Sequence, residues 1–247
     1  MTERGVAVVT GAARGIGLAV VDELLQGDGI RVLAVDRDRE GLVKAAGLGA
    51  ETIEADLATV AGRDSVVSRA MGAQYLVNAA GIIYLAPICE VTIADLRRVF
   101  AINVEATWDL TSRLGQRMGD GGAVVNLSSS SAKLANTTEA AAYACSKAAI
   151  LSITRSFAYA FARRGVRVNA VCPGIIDTPM QDEVVDKVAG ARGMMAAEFR
   201  AERKQSVPLG RAGSASECAR VIKFLLSSSA SYMTGQAVNV TGGLVTW

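Results

Sequence analysis

GVAVVTGAARGIG, residues 5–17, decides how the chain is read. An apolar, β-branched run stops at Thr10, and Gly11-Ala12-Ala13-Arg14-Gly15-Ile16-Gly17 follows before a helical pattern begins. Glycines at such a strand-to-helix turn let backbone N–H groups approach a pyrophosphate closely, and the helix N-terminus adds positive potential there. The next strand candidate, RVLAVD (31–36), ends on Asp36. A carboxylate about 20 residues beyond a glycine-rich turn is placed to accept hydrogen bonds from an adenosine ribose. It also repels a 2′-phosphate, so NAD is expected as cofactor rather than NADP. Arg37 complicates this, because a guanidinium there can hold a phosphate, but Asp36 occupies the strand-end position itself.

Working outward, further strand candidates lie at 51–56, 75–80, 123–128, 166–171 and 236–240. Helical patterns lie near 15–26, 38–47, 60–71, 93–118, 140–164 and 214–228. Strict alternation of this kind predicts an α/β fold, a doubly wound parallel sheet (Rossmann-like) with helices on both faces. The strands are nearly continuously apolar, as a sheet covered on both sides requires. No linker or repeat divides residues 1–247, so a single domain is expected. Gln181–Val207 breaks the rhythm, being charged and Met-containing after a strand end. It is read as a lid over a ligand, the alternative being an exposed pair of helices.

Composition narrows the chemistry. There is no histidine, which removes Ser-His-Asp and Cys-His catalysis and His-ligated zinc. Any general base is Asp, Glu, Lys, Tyr or Cys. Cys89, Cys145, Cys172 and Cys218 are widely spaced without a CxxC pair and read as free thiols, so no metal is expected. The net charge of +2 and the lack of a Lys/Arg run argue against a nucleic-acid partner. The N-terminus shows no signal-peptide core and no stretch has membrane-span length, so a soluble cytoplasmic protein is expected.

A series of short motifs in fixed order resembles the short-chain dehydrogenase/reductase family in its short single-domain form. These are Thr10–Gly17, Asp56-Leu57, Asn78-Ala79-Ala80-Gly81, Asn103, Asn126-Leu127-Ser128-Ser129, Tyr143-x-x-x-Lys147, Pro173-Gly174 with Thr178, and Thr234-Gly235-Gln236 with Gly242-Gly243. The resemblance spans nearly the whole chain. It implies that Gly11, Arg14, Gly15, Ile16 and Gly17 hold the pyrophosphate, and that Asp36 and Arg37 meet the ribose. It implies further that Asp56 and Leu57 flank the adenine, that Asn78, Ala79 and Gly81 line the cofactor groove, and that Pro173, Gly174, Ile176 and Thr178 hold the nicotinamide carboxamide. Thr241 departs from the pattern, since many relatives place Asp there.

Tyr143 and Lys147 stand four apart in an Ala-rich helical pattern and project from nearly one face. A phenol is normally too weakly acidic to act as a base at neutral pH, and a neighbouring ammonium lowers its pKa. The resemblance makes Tyr143 the acid/base, Lys147 its tuner and a ligand of the nicotinamide ribose, and Asn103 the anchor of a water that relays protons to Lys147. A serine should hydrogen-bond the reacting oxygen. Strand register from Asn126 selects Ser129, whereas the usual family spacing back from Tyr143 selects Ser130. Register is favoured, because loops absorb insertions and strands do not. The expected protein is an NAD-dependent oxidoreductase interconverting a secondary alcohol and a ketone. A 3-ketoacyl-thioester reductase using NADPH is the alternative, and a nucleotide-sensing protein on the same fold is the alternative of another class. Enoyl reduction fits less well, since related enoyl reductases widen the Tyr–Lys spacing. The substrate pocket is expected to draw on 181–207, 82–87 and 131–142. Acidic and basic residues nearly balance in 181–207, and no anion site is inferred from them. The family favours homotetramers built on the helix of Tyr143 and the helix near 214–228.

Overall fold

The computed structural model describes residues 5–26, 29–134 and 138–247. Residues 1–4 of the N-terminal stretch and 135–137 of the expected pocket loop lie outside them. Val6–Thr10 (β1) is buried along its whole length, with Val6 and Val8 entering one apolar core and Ala7 and Val9 the other. That two-sided burial is what the unbroken apolar strand pattern predicts, because alternate side chains leave opposite faces of a sheet. Six more parallel strands join it: Arg31–Asp36 (β2), Glu51–Glu54 (β3), Ala73–Asn78 (β4), Ala123–Leu127 (β5), Arg167–Pro173 (β6) and Ala237–Val240 (β9). Their order is β3-β2-β1-β4-β5-β6-β9. The fold is therefore Rossmann-like, with the order reversing between β1 and β4. At such a reversal the loops above the strand ends diverge and leave a crevice.

Helices Gly15–Leu25 (α1), Arg39–Gly47 (α2) and Ala215–Leu226 (α9) supply Val20, Leu24, Leu42, Ile222 and Leu225 to one core. Val60–Arg69 (α3), Ile93–Phe100 (α4), Ala106–Gly115 (α5) and Ala141–Phe161 (α6) lie between the other strands, and α3, α5 and α6 fill the second core with Val66, Leu110, Leu114, Ile150 and Phe157. Among the described residues, no helix is long and apolar enough to cross a membrane.

Several boundaries differ from the sequence-based expectation for local reasons. Strand β4 ends at Asn78 rather than 80, because Thr10 Oγ1 accepts the N–H groups of Ala79 and Ala80 (both 3.1 Å) and draws the chain off the ladder. The long helix near 93–118 carries a π-helical stretch, Ala101–Glu105, between α4 and α5. Within 181–207 the chain forms two helices, Pro179–Arg192 (α7) and Ala196–Gln205 (α8), framed by the two-residue strands Ile176–Asp177 (β7) and Gly213–Ser214 (β8). Helices α7 and α8 close on a small apolar cluster of their own: Val184, Val185, Val188, Ala189 and Phe199.

Candidate active site

One cleft of about 970 Å³ opens above the strand ends. At one end it is walled by the first βα turn. Gly11 has φ +67, and a Cβ there would meet Ala80 N and Cα at 2.8 Å, so only glycine lets the turn lie this close to the end of β4. Gly15, at φ +59, faces Thr178 across the opening, where a Cβ would stand 3.5 Å from the Thr178 methyl. Helix α1 starts there with no acidic residue in its first turn, leaving its positive end open to the cleft. Asp36, half-buried at the end of β2, is fixed by two amides: Oδ2 accepts from Ala13 N (3.1 Å) and Oδ1 from Asp38 N (3.0 Å). Arg14, Ile16, Gly17, Arg37, Asp56, Leu57, Ala79 and Gly81 line the same end. Pro173, Gly174, Ile176 and Thr178 line it farther along.

At the middle of the cleft, α6 brings Tyr143 and Lys147 against the end of β5. Ser128 Oγ, just past β5, donates to the Lys147 carbonyl oxygen (2.8 Å) and holds helix to strand end. The Ser129 side chain lies close enough to the Tyr143 phenol to favour its ionised form. Ser129 Oγ accepts from Ser131 N (3.1 Å), which fixes the hydroxyl. Ser129 and Ser130 both line the cleft beside Tyr143, and Ser129 is the one that acts on the Tyr143 pKa.

Lys147 Nζ donates to the Leu127 carbonyl oxygen (2.7 Å) and lies 5.6 Å from the centre of the Tyr143 ring. Burial lowers its pKa to about 8. Burial also raises the Tyr143 pKa, with Ser129 acting in the opposite direction. This corrects the expectation of a phenol already lowered by its lysine. Desolvation sets the direction, and Lys147 Nζ is turned toward the Leu127 carbonyl.

Asn78 and Asn103, both expected at the cofactor or proton pathway, do not line the cleft. Asn78 is buried beneath it, where its Nδ2 donates to Thr111 Oγ1 (3.0 Å) and Asn126 Oδ1 (2.8 Å). Asn126 in turn donates to Thr154 Oγ1 (3.0 Å), bolting β4 and β5 to α5 and α6. Asn103, in the π-helical stretch, accepts from Ile82 N (2.9 Å) and donates to Ile82 O (3.0 Å) and Ser146 Oγ (2.9 Å). Ser146 Oγ donates to Tyr143 O (2.7 Å). The Asn103 side chain thus clamps the loop after Gly81 to the helix of Tyr143. Ser146 was missed by sequence reading, although its place three residues after Tyr143 sets it on the adjoining face.

A family model described as Enoyl-(Acyl carrier protein) reductase matches residues 11–245. The chain belongs to the short-chain dehydrogenase/reductase family. Members of this family of oxidoreductases use a nicotinamide cofactor. The chain is 35% identical to a galactitol 2-dehydrogenase (L-tagatose-forming) of Cereibacter sphaeroides, with 98% of this chain and 95% of that one covered. It is 37% identical to a short-chain type dehydrogenase/reductase of Sinorhizobium fredii (strain NBRC 101917 / NGR234), covering 96% of this chain but only 43% of that longer relative. Among solved short-chain dehydrogenase/reductase structures, a variant of actinorhodin polyketide ketoreductase with NADPH superposes with a TM-score of 0.92 at 30% identity, covering 100% of this chain and 99% of that one.

Proposed function

We propose that the protein is an NAD-dependent oxidoreductase that interconverts a secondary alcohol and a ketone, with Tyr143 as acid/base. The observation that carries this reading is that Ser129, Tyr143 and Lys147 line one cleft with the glycine turn of α1, with Lys147 Nζ 5.6 Å from the Tyr143 ring centre. The space at the glycine-turn end suits a dinucleotide, because the turn brings backbone at Gly15 (φ +59) to the cleft wall and no acidic side chain stands in the first turn of α1. Gly11–Gly17 would receive the pyrophosphate, Asp36 the adenosine ribose, Asp56 and Leu57 the adenine, and the Pro173–Thr178 turn the nicotinamide. The bound nicotinamide supplies the hydride acceptor or donor.

The chain's own residues manage the proton. Ser129 Oγ accepts from Ser131 N–H, and its own O–H would turn to the reacting oxygen. Tyr143 takes the hydroxyl proton of an alcohol as its carbon loses hydride, or returns a proton to the carbonyl oxygen in reduction. With its pKa raised by burial, Tyr143 holds its proton at neutral pH, the form that donates to a ketone. The Lys147 ammonium, turned from Leu127 O toward the phenol, would stabilise the phenolate needed for oxidation. Asn103 and Ser146 are positioning residues that hold Tyr143 and the loop after Gly81 in register. Helices α7 and α8 would cover the substrate as a lid.

A second reading, a 3-ketoacyl-thioester reductase using NADPH, is favoured by the similarity to the polyketide ketoreductase and by Arg37 on the cleft rim. Asp36 argues against it: its carboxylate is pinned in place by two amides and would meet a 2′-phosphate with like charge. Enoyl reduction is disfavoured by the spacing of Tyr143 and Lys147. Assays of alcohols and ketones with NAD⁺/NADH and NADP⁺/NADPH in parallel test the whole reading. Tyr143→Phe should lose about 10²–10⁴-fold in kcat while still binding nucleotide, as removal of a general acid/base does. Asp36→Ala should shift preference toward NADP⁺. Full activity of Tyr143→Phe, or a wild-type preference for NADP⁺, would refute the respective half.

A further inference from the structure

Where α7 and α8 border the cleft, their charges are unevenly answered. Arg200 pairs with Asp182 (2.8 Å), Lys187 with Glu183 (2.8 Å), and Arg192 reaches across the cleft mouth to Glu139 (3.5 Å). Arg203 lines the cleft and has no carboxylate partner among the described residues. Its Nη2 donates to the neutral amide oxygen of Gln181 (2.9 Å), and its Nε, shielded from solvent, has no hydrogen-bond partner among the described residues. The Phe199 ring supports both guanidiniums, with Cζ of Arg192 5.2 Å and Cζ of Arg203 5.7 Å from its centre. Burial and the neighbouring Arg192 charge both push the Arg203 pKa down, the reverse of a guanidinium held by a carboxylate.

A half-buried cation with an unfilled donor is a standing cost unless something supplies the anion. Glu202 and Glu183 also line the cleft, but both are exposed, and Glu183 is already engaged by Lys187. We propose that Arg203, seated on Phe199 with Arg192 beside it, binds the carboxylate of the substrate, so that the reacting alcohol or ketone is a hydroxy acid or oxo acid. This rests on the oxidoreductase reading above. One unanswered guanidinium among rim glutamates matches a singly charged carboxylate better than a phosphate, which would set two negative charges beside those acids. Arginine also offers the planar fork that a carboxylate fills with two bonds.

The test compares matched pairs, galactitol with galactonate and butane-2,3-diol with 3-hydroxybutanoate, in wild type, Arg203→Met and Arg203→Lys. In wild type the carboxylate member should have the higher kcat/KM. Its ratio to the neutral member should fall about tenfold or more in Arg203→Met, chiefly through KM, with partial recovery in Arg203→Lys. A wild type that prefers the neutral member, or a ratio unmoved by Arg203→Met, overturns the proposal. A second arm does not depend on turnover: calorimetric binding of malonate, and of inorganic phosphate, to the protein with NADH present. Malonate binding that weakens about tenfold or more in Arg203→Met supports the subsite even if no alcohol in the panel reacts, in which case the oxidoreductase reading fails separately. Malonate that does not bind wild type, binds the variant equally well, or binds more weakly than phosphate overturns it. Arg203→Met should also melt no lower than wild type in the absence of anions, because it removes a charge without a partner. A lower melting temperature together with equal losses on both members of each pair would make Arg203 merely structural.

Discussion

Lys147 shows most clearly what the site asks of single residues. Its pKa of about 8 in the folded protein lies below the ~10.4 of an unfolded lysine. Between those values the unfolded chain binds the extra proton, so this residue's contribution to stability rises with pH across that window. Below about pH 8 the full cost of burying the ammonium is present. The stability difference between Lys147→Met and wild type should therefore favour the variant most at pH 7 and shrink as pH approaches ~10.4. Paired urea unfolding curves at pH 7 and at about pH 9.5 measure it, and a difference that does not change with pH contradicts the burial. That Tyr143 and Lys147 share one face of α6 was legible in the sequence, since a four-residue spacing on a helix fixes it. The direction of the Tyr143 pKa was not legible. It depends on how deeply the phenol is enclosed and where Lys147 Nζ points, and neither leaves a mark in the spacing.

Among elements, the strands and helices that build the sheet were readable because their apolar periods are unambiguous. Paired asparagines in adjacent strands were harder to assign. Asn78 and Asn126 stand opposite one another in the β4–β5 register, and the family resemblance puts Asn78 in the cofactor groove. Only the packing of α5 and α6 shows that Thr111 and Thr154 close the ladder from beneath. Replacing Asn126 with Leu leaves Asn78 and Thr154 with unmet buried groups and should cost about 1–3 kcal/mol. For a chain of this size that is a fall of roughly 2–4 °C in Tm per kcal/mol, measurable by calorimetry. An unchanged melting temperature would mean the ladder carries no weight. The π-helical stretch at Ala101–Glu105 was also invisible to a simple helical period, yet it brings Asn103 to both Ile82 and Ser146.

On the scale of the whole molecule, large apolar side chains remain exposed on two faces. Trp108 on α5 is 52% exposed and Tyr159 on α6 is 90% exposed. On α9, Phe224 is 42% exposed. We propose that these helices form the contacts of a homotetramer of the 25.6 kDa chain. Light scattering coupled to size-exclusion chromatography should give four times the chain mass, and Tyr159→Glu should reduce it. A monomeric wild type would count against the proposal.

Helices α7 and α8 hold together through five buried apolar residues separate from the two cores that flank the sheet, and the strands framing them pair over only two residues. The Phe199 that anchors this cluster also carries the guanidiniums facing the cleft. Apart from Ile83 and Leu85, which pack against the cluster, this segment is thus separate from the cores that hold the sheet. If α7 and α8 cover the substrate as proposed, exchanging residues 179–205 as a cassette would alter substrate choice while Ser129, Tyr143 and Lys147 stay where they are.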